Sequence, residues 1–135
     1  MKVLLDNNLP PSFAIALNAL SEREGYGSVH HLRDFFDPRI TDANWITELG
    51  NDSGWTAVSG DTRIRNRPHE LAAFSAAGLV LVTLAPSWSK LRFWDKATLL
   101  IRCWPDIYQV AASAPRPSLF EVAARPGQSG IRRIV

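Results

Sequence analysis

Residues 79–84 read "LVLVTL", five apolar side chains and one threonine without an alternating polar position. Gly78 precedes the run and Pro86 follows it closely, so the segment is too short for a helix and is bounded on both sides. A strand facing solvent on one side alternates apolar and polar residues; a strand without alternation is covered on both faces. Such coverage needs helices on both sides of a sheet, the arrangement of α/β proteins with a mainly parallel sheet.

The rest of the chain agrees with this frame. "KVLL" at residues 2–5, "SVHHL" at 28–32 and "WTAVSGD" at 55–61 read as further strands. "NLPPSFAIALNAL" reads as a helix with Asn8 as its cap, prolines in its first turn, and Leu9, Phe13, Ala16, Leu17 and Leu20 at helical spacing. "TDANWITELG" is a short helix with Thr41 as cap and Gly50 after its end. "RIRNRP" is expected to be a basic loop, with a helix from Pro68 to Gly78. A longer helix covers "SWSKLRFWDKATLLIRCW" and restarts after Pro105, and "SLFEVAA" and "IRRIV" form a final, antiparallel hairpin. There is no repeat, linker or low-complexity segment, and one domain over residues 1–135 accommodates the length.

Composition narrows the classes. The hydrophobic fraction of 46% and charged fraction of 21% are those of an ordinary globular domain. A net charge of +2 permits a polyanionic partner without demanding one. The single Cys103 excludes a disulfide framework or thiolate zinc site and fits a reducing compartment. No apolar run is long enough to span a membrane, and no signal-peptide pattern opens the chain, so a cytoplasmic location is expected.

Two strands stop at an acid: Asp6 after the first and Asp61 after the third. In an open parallel sheet the carboxyl ends of neighbouring strands line one crevice, where ligands bind. Asp42 opens the helix leading into the third strand and reaches that edge if "RDFFDPRI" folds over it. Singly, each acid has a bland reading, as a turn residue or a helix first-turn acid. Together, three carboxylates on one edge repel unless a cation joins them, and a hard, oxygen-ligated Mg²⁺ or Mn²⁺ is the usual partner. Such an ion suits phosphoryl chemistry. Asn7 or Asn8 would orient Asp6, or a water, from outside the ligand shell.

"MKVLLDNNLPPSFAIAL", "ITDANWITEL" and "TAVSGDTRI" together resemble the PIN-like nucleases, and more narrowly the branch with the VapC-type toxins of toxin–antitoxin pairs. The resemblance covers about the first 85 residues in order and spacing, and the remainder more loosely. It implies a Rossmann-like PIN fold and an Mg²⁺- or Mn²⁺-dependent endoribonuclease that cuts RNA with activated water. It carries the family acids onto Asp6, Asp42 and Asp61 as catalytic and metal-binding residues. The fourth acid has no clear counterpart; Thr62 follows Asp61, and Glu70 lies on the next helix. Many relatives have Glu beside the first acid, where this chain has Asn7. The partners implied are an RNA substrate and a small antitoxin protein, with a homodimer as an open option.

Other groups carry weaker signals. Arg63, Arg65 and Arg67 alternate after Asp61 and, in extended backbone, would form a row of cations for RNA phosphates; a solvated loop is the competing reading. Lys90 and Arg92 with Trp88, Phe93 and Trp94 would make a stacking surface for single-stranded RNA, although such aromatics more often form core or a dimer face. Trp45, Trp55 and Trp104 read as structural. His30 and His31 point to opposite faces and cannot share a metal. A PIN-like module that binds RNA or protein without cutting is the second reading, and a phosphoryl-accepting receiver domain ranks below both. An Asp-x-Asp phosphatase is excluded, because Asn8 stands at the second acid.

Overall fold

The computed structural model describes the backbone of residues 1–135 and all side chains except those of Thr62 and Arg65. Six strands form one sheet: β1 Lys2–Leu5, β2 Ser28–His31, β3 Trp55–Ser59, β4 Val80–Leu84, β5 Ser118–Val122 and β6 Ile131–Arg133. Their order is β2-β1-β3-β4-β5-β6. All pairings are parallel except that of β5 with β6, as the final hairpin required. Four α-helices complete the fold: α1 Pro11–Glu24, α2 Asp42–Leu49, α3 Pro68–Ala77 and α4 Phe93–Ser113.

The missing alternation in "LVLVTL" has its expected cause. Val80, Val82 and Leu84 enter one core with Phe13 and Leu17 of α1 and Leu100, Trp104 and Ile107 of α4. Leu81 enters a second core with Trp45 and Ile46 of α2 and Phe74 of α3. Successive side chains of a strand point to opposite faces, so a strand covered on both sides loses its alternation; the one polar member, Thr83, is buried with its hydroxyl donating to Phe120 O at 3.1 Å. β1 divides likewise, with Val3 and Leu5 in the first core and Leu4 in the second.

Local structure departs from expectation at four places, one of them the start of α4: Pro86–Lys90 form a separate 3₁₀ turn and the helix begins at Phe93 rather than Ser87. α1 is capped by Pro10 without a side-chain bond, so Asn8 does not cap it. α4 runs unbroken through Pro105, whereas a restart was expected. Proline deletes one helical hydrogen bond, but Cys103, Trp104 and Ile107 are all buried around it, and their packing holds the helix together. Residues Thr62–Asn66 form a 3₁₀ turn rather than an extended loop.

The β2 edge is closed by side chains. Asn18 Oδ1 accepts from Val29 N at 2.8 Å and Asp34 Oδ2 accepts from His31 N at 3.0 Å. The outward N–H groups of a short edge strand are thereby unavailable to an added strand. Among the described residues no helix is long and apolar enough to cross a membrane.

Candidate active site at the β1–β3 crevice

The chain passes from β1 to β2 on one side and later to β3 on the other, so the sheet order reverses at β1 and the crevice lies between β1 and β3. The register pairs Leu5 with Val58, which sets Asp6 beside Ser59 as both strands end. Asp6 N donates to Val58 O at 3.1 Å. The loops leaving the two strands touch: a Cβ on Gly60 would lie 3.0 Å from Asn8 Cβ, so only glycine fits there without displacement.

Asp6 is 3% exposed. Its Oδ1 accepts from Asn8 N at 3.0 Å and Gly60 N at 3.4 Å, and Ser59 Oγ donates to its Oδ2. Burial pushes its carboxyl up to about 6, with the negative charge of Asp42 adding to the rise and the three hydrogen bonds opposing it. Ser59 Oγ also accepts from Asp61 N at 3.0 Å, so one hydroxyl ties the first acid to the loop that carries the third. The "SGD" motif contained this residue, but a serine at a strand end gives no sign of its role until the register is known.

Asp42 and Asp61 meet at an arginine. Arg67 Nη1 lies 3.3 Å from Asp42 Oδ2, 3.4 Å from Asp61 Oδ2 and 3.8 Å from Glu70 Oε1. Trp45 Nε1 donates to Asp42 Oδ1 at 2.9 Å and holds that carboxylate in place from one turn along α2. Asp61 Oδ1 accepts from Arg63 N at 2.9 Å and from Arg63 Nε at 3.1 Å. Glu70 in the first turn of α3 thus joins the cluster as its fourth acid.

The other predicted residues lie as follows. Asn7 turns away from Asp6: its Nδ2 donates to Pro38 O at 2.8 Å and its Oδ1 accepts from Arg33 Nε at 3.3 Å. It fastens the segment before α2, which brings Asp42 over the edge. Asn8 serves Asp6 through its backbone only, and its side chain is exposed. Arg63 and Arg67 are engaged with acids, and the 3₁₀ turn removes the extended alternation that would align the three arginines. The side chains of Thr62 and Arg65 lie outside the described residues. His31 is buried and fully bonded, its Nε2 to Leu9 O at 2.7 Å and its Nδ1 to Arg33 N at 3.1 Å, which assigns the neutral ring with its proton on Nε2. It steadies the turn after Asp6 and is no metal ligand.

The donor set suits a hard cation by type, because it offers carboxylate oxygens. Asp6, Asp42, Asp61 and Glu70 against Arg63 and Arg67 leave a formal excess of two negative charges when all are ionised. The spacing is that of a guanidinium: oxygens stand 3.3–3.8 Å from Arg67 Nη1, whereas Mg²⁺ requires about 2.1 Å. Among the described residues no three His, Cys, Asp or Glu side chains form a metal-holding group. The acids thus match a divalent ion in donor type and charge but not in their present spacing, and Arg67 is the cation that Asp42, Asp61 and Glu70 share.

No curated protein and no solved structure matches the chain. A family model described as a PIN like domain matches residues 1–86, which span β1 to the end of β4 and contain Asp6, Asp42, Asp61, Arg67 and Glu70. With well over half its length matched, and the sheet order and acid-lined crevice described above, the chain belongs to the PIN-like domain family.

Proposed function

We propose that this PIN-like domain is a metal-dependent endoribonuclease, and that it serves as the toxin of a type II toxin–antitoxin pair. PIN domains are generally nucleases, and the observation that carries the reading is the gathering of Asp42, Asp61 and Glu70 around one cation position, with Asp6 buried beside them. In this reading Asp6, Asp42 and Asp61 hold Mg²⁺ or Mn²⁺, and Glu70 supports them. When bound, the ion would polarise the phosphate and lower the pKa of water. Ser59 holds the Asp6 carboxylate and the backbone of Asp61 together, and Trp45 fixes Asp42 where it meets Arg67. Asn7 fastens the segment that brings Asp42 there.

The decisive test is RNA cleavage with added Mn²⁺ by the wild type, Asp6→Asn and Asp61→Asn. Cleavage is expected in the wild type and lost in both variants, which keep shape and remove charge. Cleavage surviving in both would sink the assignment. For the toxin role, a small DNA-binding protein encoded beside this chain, and blocking its cleavage, is the expected partner.

One observation favours a second reading, a module that binds RNA or protein without cutting. Arg67 fills the position a metal ion would take. If the guanidinium stays when Mn²⁺ is added, the wild type shows neither a rise in melting temperature nor cleavage.

A further inference from the structure

Of the five tryptophans, Trp45, Trp55, Trp88 and Trp104 are at most 7% exposed, and each donates its indole N–H within the protein. Trp94 is 78% exposed, and among the described residues its indole N–H has no partner. A lone exposed aromatic needs no explanation. Here the neighbouring ring, Phe93, is also 48% exposed and stands at 89° to Trp94 with centroids 5.4 Å apart. Lys90 and Arg92 are exposed and Lys96 half-buried around them, and among the described residues none of the three has an ion pair. Asp95 is the one acid interleaved with these cations, so the patch carries a formal +2.

The place of this patch matters. β4 ends at the same sheet edge as β1 and β3, and the chain passes from it through Pro86–Lys90 directly into α4. Phe93 packs on Phe13 in the first turn of α1, with centroids 5.1 Å apart, and α1 itself follows Asp6 from the end of β1. Rings and cations thus stand on the edge that holds the acids. The arginines nearest the acids cannot supply phosphate contacts freely, because Arg63 and Arg67 hold Asp42, Asp61 and Glu70.

We propose that Phe93 and Trp94, with Lys90, Arg92 and Lys96, form a base-stacking platform for single-stranded nucleic acid at the same sheet edge as the acid cluster. This rests on the RNA reading above and deepens it by naming the surface, away from the acids themselves, that would hold the strand. An open ring flanked by unpaired cations matches a base and its adjoining phosphates: stacking accepts any base, and the cations follow the backbone. Pairing with the same patch of another copy of this chain would bring three cations against three, which like-charge repulsion opposes.

The test uses the whole protein, a roughly ten-nucleotide oligouridylate, and a chelator so that hydrolysis does not enter. Because Trp94 is the one exposed indole, base stacking quenches its emission while the four buried tryptophans report that the fold is intact. Expected results are saturable quenching, binding roughly 5- to 100-fold weaker in Trp94→Ala, and binding largely restored in Trp94→Phe. Replacing Lys90, Arg92 and Lys96 together by Ala lowers the slope of log affinity against log salt by about two units. Unchanged affinity in Trp94→Ala, an unchanged salt slope, or a dimer that dissociates in Trp94→Ala would each overturn the platform. Oligouridylate bound through Trp94 without Mn²⁺-dependent cleavage would instead refute the hydrolysis and leave the platform standing.

Discussion

Replacing Asp6 by Asn makes the protein more stable, and by an amount that depends on pH. The side chain is buried, and burial moves its carboxyl from 3.8 to about 6. Folded Asp6 therefore holds its proton more tightly than unfolded Asp6. Between about pH 4 and pH 6 the folded state binds the extra proton, so stability falls as pH rises through this window and levels off above it. A rise of about two units corresponds to roughly 3 kcal/mol at neutral pH and above. Asn at this position keeps an oxygen for the N–H groups of Asn8 and Gly60, but its amide faces Ser59, whose hydroxyl then loses its acceptor. That loss costs about 1 kcal/mol and does not depend on pH. The net gain is about 2 kcal/mol near pH 7.5, turning into a small deficit near pH 4. For a chain of 135 residues, with about 2.1 cal/mol/K of unfolding entropy per residue, the gain raises the melting temperature by about 7 °C. The assay is thermal or urea unfolding of wild type and Asp6→Asn across that range, with a chelator present. Contributions from groups that do not interact with Asp6 cancel in the difference; Asp42, whose charge adds to the rise, is the exception. A difference that stays flat with pH, or shrinks as pH rises, would refute the claim that a buried, ionised Asp6 destabilises the native state.

Arg67→Ala leaves Asp42, Asp61 and Glu70 facing one another without their shared cation. The apo protein is expected to melt lower than wild type, and calorimetric titration is expected to show at least tenfold tighter Mn²⁺ binding; weaker Mn²⁺ binding would mean that Arg67 shapes the site rather than fills it. Asn7→Ala releases Pro38 O and Arg33 and loosens the segment before α2, at a cost of about 1 kcal/mol. Hydrogen exchange should rise at residues 33–41 while the sheet stays protected; faster exchange throughout β1 and β3 would show that Asn7 supports the whole fold.

Much of this molecule was legible in the chain, for a physical reason. Strand and helix patterns are local: "LVLVTL" lacks polar alternation because both its faces are covered, and Gly50 and Gly78 follow α2 and α3. Parallel pairing then follows from the alternation of strands and helices, and Asp6 and Asp61 had to share an edge once their strands did. Pro105 misled because its local cost is real and only the surrounding core offsets it. Which side chains join was not local. Arg67 reads as a loop cation until β3 and the start of α2 bring Asp61 and Asp42 to it, the latter from 25 positions away. Glu70 reads as a first-turn acid, Ser59 as a strand residue and Asn7 as a companion of Asp6, until tertiary structure assigns partners to each. By itself the sequence determined the layers, the sheet and the edge where the acids lie; the tertiary structure alone decided that an arginine stands among Asp42, Asp61 and Glu70, because charge pairing depends on distances of a few ångströms between elements that no sequence period relates.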